Sequence, residues 1–312
     1  MRLPRVALVG AGGVGGVVAA SLALARRCQL TVVARGAALN TLQRAGLEVE
    51  LDEGRRVIAT PDSLTAVDPA DTATVGPQDY VVVSTKAHQL ADALPAIEPM
   101  LGPDTTLVTL MNGLPYWWRT AAGKRVEAVD PGGRLSSVLP SPGRVIGSVG
   151  FVAGTRVFDP AANQHLWLNK WPTDKSSLLL GSALGGGGGG AADRFAALFD
   201  PGSELPLPVN VTDDIGTAVW EKLMINASIN TLATVARVDC GELVDDPSLR
   251  AALGRITAEV AAVASSEGLA VSATADSILS IYRVRRRLQQ DFTFGTLFPC
   301  SYRASRGVPR PA

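Results

Sequence analysis

A glycine-rich turn between two short apolar strands is the feature that most constrains how this chain can fold. The first strand pattern covers residues 5–9 (RVALV), and the turn GAGGVG follows it directly at residues 10–15. An alanine-rich helical pattern comes next, and a second apolar strand pattern covers residues 30–35. Strand, glycine turn, helix and strand in this order form the context in which G-x-G-x-x-G indicates a dinucleotide-binding site.

The three glycines of this motif have different physical roles. Gly10 permits the tight turn after the strand, Gly12 lets backbone N–H groups approach a pyrophosphate, and Gly15 lets the helix lie close to the sheet. The anion would then sit at the helix N-terminus, where unpaired N–H groups and the helix dipole favour negative charge. The predicted cofactor-binding residues of the turn are Gly10, Ala11, Gly12, Gly13, Val14 and Gly15.

The end of the second strand indicates which dinucleotide is bound. A site for NAD usually carries Asp or Glu about 20 residues after the motif, where the acid binds the ribose 2′-hydroxyl. Here Ala34 and Arg35 occupy that place, and the next acidic residue is Glu48. A guanidinium can pair with a 2′-phosphate through two charge-assisted hydrogen bonds, although a solvated arginine is also common at a strand end. We therefore predict NADP(H) as the cofactor, with Arg35 binding the 2′-phosphate.

Length, composition and charge exclude several classes of function. The 312 residues exceed what one hydrophobic core usually serves, so we expect two domains. The 29 basic and 29 acidic side chains leave no net charge, which argues against nucleic acid or an anionic membrane as the main partner. Three cysteines without C-x-x-C spacing and only two histidines fit a reducing compartment and argue against a metal site.

The N-terminal segment shares two features with a secretory signal, early arginines and an apolar stretch. The glycine cluster would break the helix that such a signal needs, and the strand that follows makes sense only if the segment stays and folds. No other stretch of the sequence is long and apolar enough to span a bilayer. We therefore expect a cytoplasmic protein.

Apolar strand patterns alternate with helical or loop segments through the first 120 residues. Residues 56–60 are strand-like, and residues 80–84 (YVVVS) and 106–110 (TLVTL) are typical of buried parallel strands. Such alternation predicts an α/β domain with a mostly parallel sheet that is covered on both faces. We expect residues 143–180 to add further strands to the same sheet, and the glycine run at residues 185–190 to be a surface loop.

The pattern becomes helical from residue 212 onward. Two helices are expected, over residues 215–234 and 247–266, with Asp245 or Asp246 as the N-cap of the second. We place the domain boundary after a proline-bearing segment. This gives an NADP-binding domain over residues 1–207 and a helical substrate-binding and catalytic domain over residues 208–312.

Lys222, Asn226 and Asn230 form one polar stripe on a mostly apolar helix, because they are spaced at i, i+4 and i+8. A solvated helix face usually carries a wider mix of charged residues, so this stripe suits the binding of a ligand. A helix with one solvent-exposed edge has the same pattern. As ligand-binding groups, Lys222 would protonate a carbonyl oxygen as hydride reaches the carbon, and the asparagines would orient hydroxyl or carboxylate oxygens.

Two predicted strand ends supply further candidates. Lys86 and His88 follow the YVVVS strand, and Asn112 follows the TLVTL strand. Ligands in such sheets bind beyond the carboxyl ends of the strands, so Lys86 is a candidate for a carboxylate or phosphate. Asn112 is a candidate for the nicotinamide ribose or the substrate. An ordinary Asn-Gly turn and a solvated lysine are the alternatives, and His88 fits a surface position better than a catalytic base.

These motifs together resemble the ketopantoate reductase (2-dehydropantoate 2-reductase) family. The matching segments are GAGGVG, STKAHQ, MNG and WEKLMINASINTLA, which occur in the family's order within residues 5–250. The resemblance implies a Rossmann-type α/β domain with a mostly parallel sheet, followed by an all-α domain, with the site between them. It also implies NADPH-dependent reduction of a 2-keto acid to the 2-hydroxy acid, as in pantothenate biosynthesis.

The resemblance also implies roles for individual residues. Lys222 matches the family's proton donor, and Asn226 and Asn230 match substrate-binding positions. Lys86 and Asn112 match positions that serve the cofactor and the substrate.

The chain departs from the family pattern at several positions. Cys240 stands where the family commonly has Asn before Gly-Glu-Leu, which removes one substrate contact. Residues 287–291 (RLQQD) replace a late Ser-Met-Leu-Gln-Asp stretch, and no glutamate follows Glu267. The arginines of this region fit a basic patch or a solvated face: Arg283, Arg285, Arg286 and Arg287. A reductase of another carbonyl or imine, and a non-catalytic NADP(H)-binding protein, are therefore the alternative functions.

Trp117 and Trp118 are adjacent aromatic residues after the Asn-Gly pair. They fit an apolar wall for a bulkier 2-keto substrate, or a core or dimer-contact pair. An apolar face on the helical domain likewise fits either internal core or a homodimer interface.

Overall fold

The computed structural model describes residues 2–51, 54–119, 122–169, 175–186 and 190–280. The chain divides into two compact units, Met1–Gly216 and Thr217–Ala312. This division comes later than the expected boundary after residue 207, because residues 209–211 form a strand of the first unit's sheet. The predicted arginine patch at Arg283, Arg285, Arg286 and Arg287, the segment 287–291 and residues 187–189 of the glycine run lie outside the described residues.

The first unit contains all the strands of the described chain. They are β1 (Arg5–Val9), β2 (Gln29–Val33), β3 (Leu47–Leu51), β4 (Arg56–Ala59), β5 (Thr65–Val67), β6 (Tyr80–Val83), β7 (Thr106–Thr109), β8 (Val145–Phe151), β9 (Gly154–Asp159), β10 (Gln164–Asn169), β11 (Ser177–Ser182) and β12 (Val209–Val211). Its helices are α1 (Gly13–Ala25), α2 (Gly36–Ala45), α3 (Thr72–Val75), α4 (Leu90–Ile97), α5 (Arg134–Val138) and α6 (Ala191–Ala196).

Eight of these strands form a mostly parallel sheet, as the sequence predicts. The strand order is β12-β11-β8-β7-β6-β1-β2-β5, and only the β8–β11 pair is antiparallel. The central strands are short apolar runs, and every residue of β6 is buried. Continuous apolar runs of this kind are typical of strands covered on both faces.

The remaining strands form a second, smaller sheet in the order β4-β3-β10-β9. The expectation that residues 143–180 extend the main sheet is therefore wrong for β9 and β10, and the strand at residues 56–60 does not join the parallel sheet either. The register explains the difference, because β10 pairs in parallel with β3 and antiparallel with β9. The alternation of strands along the chain does not reveal which of two sheets a strand joins.

Helix α1 is buried between the two sheets, since it contacts β1 and β2 of the large sheet and β3, β4, β9 and β10 of the small one. All residues from Gly15 to Ala23 are buried, so the helix has no solvent-facing side along this stretch. A helix that is apolar all round is expected where both sides are covered. This packing accounts for the alanine-rich sequence after the glycine turn.

The second unit is helical throughout its described residues. It contains α7 (Ile215–Ile225), which begins at the end of the first unit, a π-helical turn at Asn226–Asn230, α8 (Thr231–Ala236), α9 (Cys240–Asp245) and α10 (Pro247–Ser266). Asp246 caps α10 as expected, accepting hydrogen bonds from the backbone N–H groups of Ser248 at 2.7 Å and Leu249 at 3.0 Å. None of the described helices combines the length and hydropathy needed to cross a lipid bilayer.

Candidate functional site

The carboxyl ends of four neighbouring parallel strands meet at one edge of the large sheet. Val9 at the end of β1 pairs with Val33 of β2 and with Val83 of β6, and Val83 pairs with Thr109 of β7. The residues that follow these strands are therefore close to one another along this edge. The predicted cofactor residues found there are those of the glycine turn, Arg35, Lys86 and Asn112.

The glycine turn has the shape of a phosphate cradle. Gly10 has φ +104°, and a Cβ there would lie 3.0 Å from backbone atoms of Ser84 and Thr85. A Cβ on Gly15 would collide with the carbonyl oxygen of Gly10, so this glycine lets α1 start close to the strand. By contrast, a Cβ on Gly12 would meet no described atom within 4 Å. The space beside Gly12, next to the first turn of α1, fits the pyrophosphate of a dinucleotide.

Two residues of the small sheet also contact the turn. The indole Nε1 of Trp167 donates to the carbonyl oxygens of Ala11 at 3.3 Å and Gly12 at 3.1 Å. The guanidinium Nη1 of Arg156 donates to the carbonyl oxygen of Ala11 at 3.0 Å. Sequence reasoning missed both residues, because they approach the turn through the pairing of β9 and β10 and no local motif marks them.

Arg35 lies at the N-cap position of α2, and only Ala34 separates it from the end of β2. Its side chain is exposed and makes no hydrogen bond or ion pair with the described part of the chain. An acidic residue lies nearer in space than the sequence suggests, because β5 pairs with β2 and is followed by Asp68. The Asp68 carboxylate accepts a hydrogen bond from the N–H of Ala70 at 3.0 Å and so caps its own turn.

The other edge residues are mostly accessible. Lys86, His88 and Asn112 are exposed, and His88 lies in a short 3₁₀ turn at Ala87–Gln89. The hydroxyl Oγ1 of Thr85 differs from them, because it is buried and has no hydrogen-bond partner among the described residues. A buried hydroxyl without a partner is unfavourable, so Thr85 is a further candidate contact for a bound molecule at this edge.

The two tryptophans have different environments. Trp117 is 3 % exposed, and its Nε1 donates to Thr109 Oγ1 at 3.1 Å. A Cβ on Gly147 would lie 2.6 Å from its ring, so Trp117 fills the space above that glycine of β8. Trp117 is therefore a core residue and not a substrate wall. Trp118 is partly buried, with its ring centroid 6.3 Å from that of Trp117.

In the second unit, the polar stripe crosses the π-helical turn. Lys222 lies in the last turn of α7, and Asn226 and Asn230 are the first and last residues of the π-helical turn. The two amides are in contact, since Nδ2 of Asn230 donates to Oδ1 of Asn226 at 3.1 Å. Single π-helical turns within α-helices are frequent at functional sites.

This contact leaves one amide nitrogen and one amide oxygen of the asparagine pair without a partner. Nδ2 of Asn226 and Oδ1 of Asn230 are buried, and neither has a hydrogen-bond partner within the described residues. Each buried polar atom without a partner is unfavourable by about 1–3 kcal/mol. The asparagine pair therefore suits a ligand that accepts one hydrogen bond and donates another. Lys222 on the preceding turn is partly buried.

Comparisons with known proteins identify the family of the chain. Residues 6–116 match the family model for ketopantoate reductase PanE/ApbA, and residues 214–293 match the model for its C-terminal part. The chain is 34 % identical over 270 residues to a 2-dehydropantoate 2-reductase of Mesorhizobium japonicum, covering 85 % of this chain and 77 % of the relative.

Solved structures give the same family. A protein of Ralstonia solanacearum assigned to the ketopantoate reductases superposes with a TM-score of 0.77 at 31 % identity, covering 90 % of this chain and 83 % of that one. A 2-dehydropantoate 2-reductase from Geobacter metallireducens, at 23 % identity and a TM-score of 0.70, has the same fold over 90 % of this chain and 83 % of its own. The fold and the resemblance predicted from the sequence are thus confirmed, and the chain belongs to the ketopantoate reductase PanE/ApbA family.

Proposed function

We propose that this oxidoreductase uses NADPH to reduce a 2-keto acid of the 2-dehydropantoate kind to the 2-hydroxy acid, as in pantothenate biosynthesis. The observation that carries the proposal is the pair Asn226 and Asn230, whose amides are in contact and whose Nδ2 and Oδ1 atoms, respectively, are buried without a partner among the described residues. A 2-keto acid offers carboxylate and carbonyl oxygens to the donor, and its product offers a hydroxyl to the acceptor.

The edge of the large sheet fits the cofactor. The space beside Gly12 accepts the pyrophosphate, Arg35 offers an exposed guanidinium to a 2′-phosphate, and the Thr85 hydroxyl offers a buried donor. Lys86 and Asn112 are assigned to the cofactor and the substrate, as their positions in the family imply. Lys86 suits a carboxylate or a cofactor phosphate, and Asn112 suits the nicotinamide ribose or the substrate. When bound, NADPH supplies the hydride.

Lys222 is assigned to the proton transfer. As hydride adds to the keto carbon, the electron pair of the C=O π bond moves to the oxygen, and the ammonium Nζ of Lys222 gives that oxygen its proton. Nδ2 of Asn226 donates to an acceptor oxygen of the acid, and Oδ1 of Asn230 accepts from the hydroxyl as it forms. The product is the 2-hydroxy acid, and the lysine regains a proton from water.

The variant Lys222→Ala tests this assignment. Proton transfer from a positioned side chain commonly contributes about 10²–10⁴-fold, so kcat is expected to fall by that factor. The Kd for NADPH, measured by calorimetry, should change by less than about twofold, because the proposed cofactor residues belong to the first unit. Lys124→Ala, which removes an exposed lysine of the first unit, is the matched control and should leave kcat unchanged.

Substrate choice is tested with a panel of keto acids, aldehydes and imines, followed by NADPH consumption. Asn230→Ala should raise KM for the best keto acid by about tenfold, since it removes a hydrogen-bonding group from the substrate site. An unchanged kcat for Lys222→Ala on that substrate would contradict the proton-donor role. NADPH binding without turnover of any panel member would favour the non-catalytic alternative.

We further propose a cytoplasmic enzyme that assembles as a homodimer. Small soluble substrates and a soluble cofactor fit this compartment. Light scattering after gel filtration should give twice the 32.4 kDa mass of the chain, whereas a mass of one chain would contradict the dimer.

A further inference from the structure

We propose that Arg156, a residue of the small sheet, is a ligand of the cofactor's pyrophosphate as well as a support of the glycine turn. This inference rests on the proposed function, because it requires a dinucleotide at the turn. The cofactor site would then combine the edge of the large sheet with one side chain delivered by β9 of the small sheet.

The strand register directs Arg156 toward the turn. Arg156 is paired directly with Trp167 across the antiparallel β9–β10 ladder, and residues paired in this way point to the same face of a sheet. Trp167 on that face packs against Gly16 of α1 and donates to the carbonyl oxygens of Ala11 and Gly12. The guanidinium of Arg156 reaches the same Ala11 oxygen, at 3.0 Å. It is therefore beside the space that opens at Gly12.

The charge of Arg156 is not needed to support the turn. Trp167 already donates to the Ala11 oxygen with a neutral group, and the bond from Nη1 uses one of the five N–H donors of the guanidinium. No carboxylate of the described residues forms an ion pair with Arg156. Instead this cation lies next to the N-terminus of α1, where the helix dipole is also positive.

Two positive groups side by side favour an anion between them. Partial burial desolvates the Arg156 guanidinium and lowers its pKa below the ordinary value. A neighbouring carboxylate would oppose this shift, and none of the described residues forms an ion pair with Arg156. A pyrophosphate in the space beside Gly12 would meet both the first N–H groups of α1 and the remaining donors of Arg156. This arrangement gives Arg156 a function that Trp167 cannot supply.

The test compares three variants and two ligands. Arg156→Met removes the charge but keeps an apolar side chain, and Arg156→Lys keeps the charge. Arg44→Met is the matched control, because the exposed Arg44 also donates from its guanidinium to a backbone oxygen, that of Asn163 at 2.9 Å. The ligands are NADPH and adenosine 2′-monophosphate, which has the 2′-phosphate but no pyrophosphate. Calorimetry measures each Kd at low and high salt.

We expect Arg156→Met to weaken NADPH binding about tenfold or more, the scale of a hydrogen bond to a charged group, and to leave adenosine 2′-monophosphate within about twofold. The salt dependence of the NADPH Kd should also become weaker, because one charge pair is lost. Arg156→Lys should recover part of the NADPH affinity, and Arg44→Met should match the unmodified protein with both ligands.

Unchanged NADPH affinity in Arg156→Met would overturn the inference and leave the proposed function standing. If Arg156→Met weakens the binding of both ligands equally, Arg156 serves only the structure of the turn and the inference is overturned. The same conclusion follows if a lower melting temperature of the variant accounts for its weaker NADPH binding. If the unmodified protein fails to bind NADPH, the proposed function fails, and the inference fails with it.

Discussion

We propose that Arg35 sets the cofactor preference, because its guanidinium forms no ion pair with the described residues. Its guanidinium is exposed at the end of β2, and the nearby Asp68 carboxylate is already bound to the N–H of Ala70. A 2′-phosphate would form charge-assisted hydrogen bonds with the guanidinium, whereas the 2′-hydroxyl of NADH carries no charge to pair with it.

We therefore expect Arg35→Ala to weaken NADPH binding by about 1.5–3 kcal/mol, the range for a hydrogen bond to a charged group, with little effect on NADH. Calorimetric titration with both cofactors measures this difference. Equal affinity of the unmodified protein for NADPH and NADH would contradict the preference.

At the residue scale, the sequence predicts those parts of the candidate site that depend on neighbours along the chain. The glycine turn and Arg35 are separated by about one helix, so their spacing in the sequence fixes their spacing at the sheet edge. Arg156 and Trp167 could not be found in this way, because they reach the turn only through the pairing of β9 with β10 and of β10 with β3. The packing of Trp117 against Gly147 could not be predicted either, because Gly147 belongs to β8, which follows later in the chain.

At the scale of elements, helix α1 is fixed by contacts on both of its sides. A Cβ on Gly15 would collide with backbone and side-chain atoms of the large sheet's edge, and a Cβ on Gly16 would collide with the Trp167 ring of the small sheet. Overpacking at such positions is unfavourable by about 1–3 kcal/mol or more. Gly12 has no such neighbour on its open side.

Gly12→Val and Gly15→Ala should therefore have opposite phenotypes. Gly12→Val fills the space beside the turn, so we expect it to lose NADPH binding and keep a melting temperature near that of the unmodified protein. Gly15→Ala, although the smaller change, should lower the melting temperature by several degrees. Circular dichroism and calorimetry separate the two effects. A folded Gly12→Val variant that retains NADPH affinity would show that the space beside Gly12 does not hold the pyrophosphate.

The helix over residues 215–234 illustrates what periodicity cannot predict. Helical spacing places Lys222, Asn226 and Asn230 on one stripe, and the structure keeps the two asparagines in contact. The π-helical turn between α7 and α8 has no composition signature, because it differs from an α-helical turn only in how the backbone is wound. Whether the amide atoms of the stripe have partners depends on how the second unit packs, which helical spacing does not predict.

At the scale of the whole molecule, buried ionisable groups predict how stability depends on pH. Burial raises the pKa of the Cys28 thiol to about 12 and also raises the pKa of the Tyr116 phenol above its ordinary value. The thiol of an unfolded chain ionises near pH 8.5. Ionisation of Cys28 therefore favours the unfolded chain, and its contribution to stability is present below about pH 8.5 and is lost as the pH rises toward 12.

We expect the free energy of unfolding, measured with urea, to fall between pH 7.5 and pH 10, with Cys28 contributing about 1–2 kcal/mol of the loss. In Cys28→Ala the loss over the same interval should be smaller by that amount, although the variant starts from a lower stability because of the cavity. An identical decline in the two proteins would show that the thiol is not buried in the native state.

The bonds that secure the glycine turn join residues 145 and more positions apart in the chain. A nascent polypeptide that has grown past β7 already contains the nucleotide-binding motif and the strands around it, yet the carbonyl oxygens of Ala11 and Gly12 still lack their side-chain donors. Those donors arrive only when synthesis has passed residue 167, and contacts that close such long loops form slowly. The motif that comes first in the polypeptide therefore gains all of its side-chain support only after residue 167 has been added.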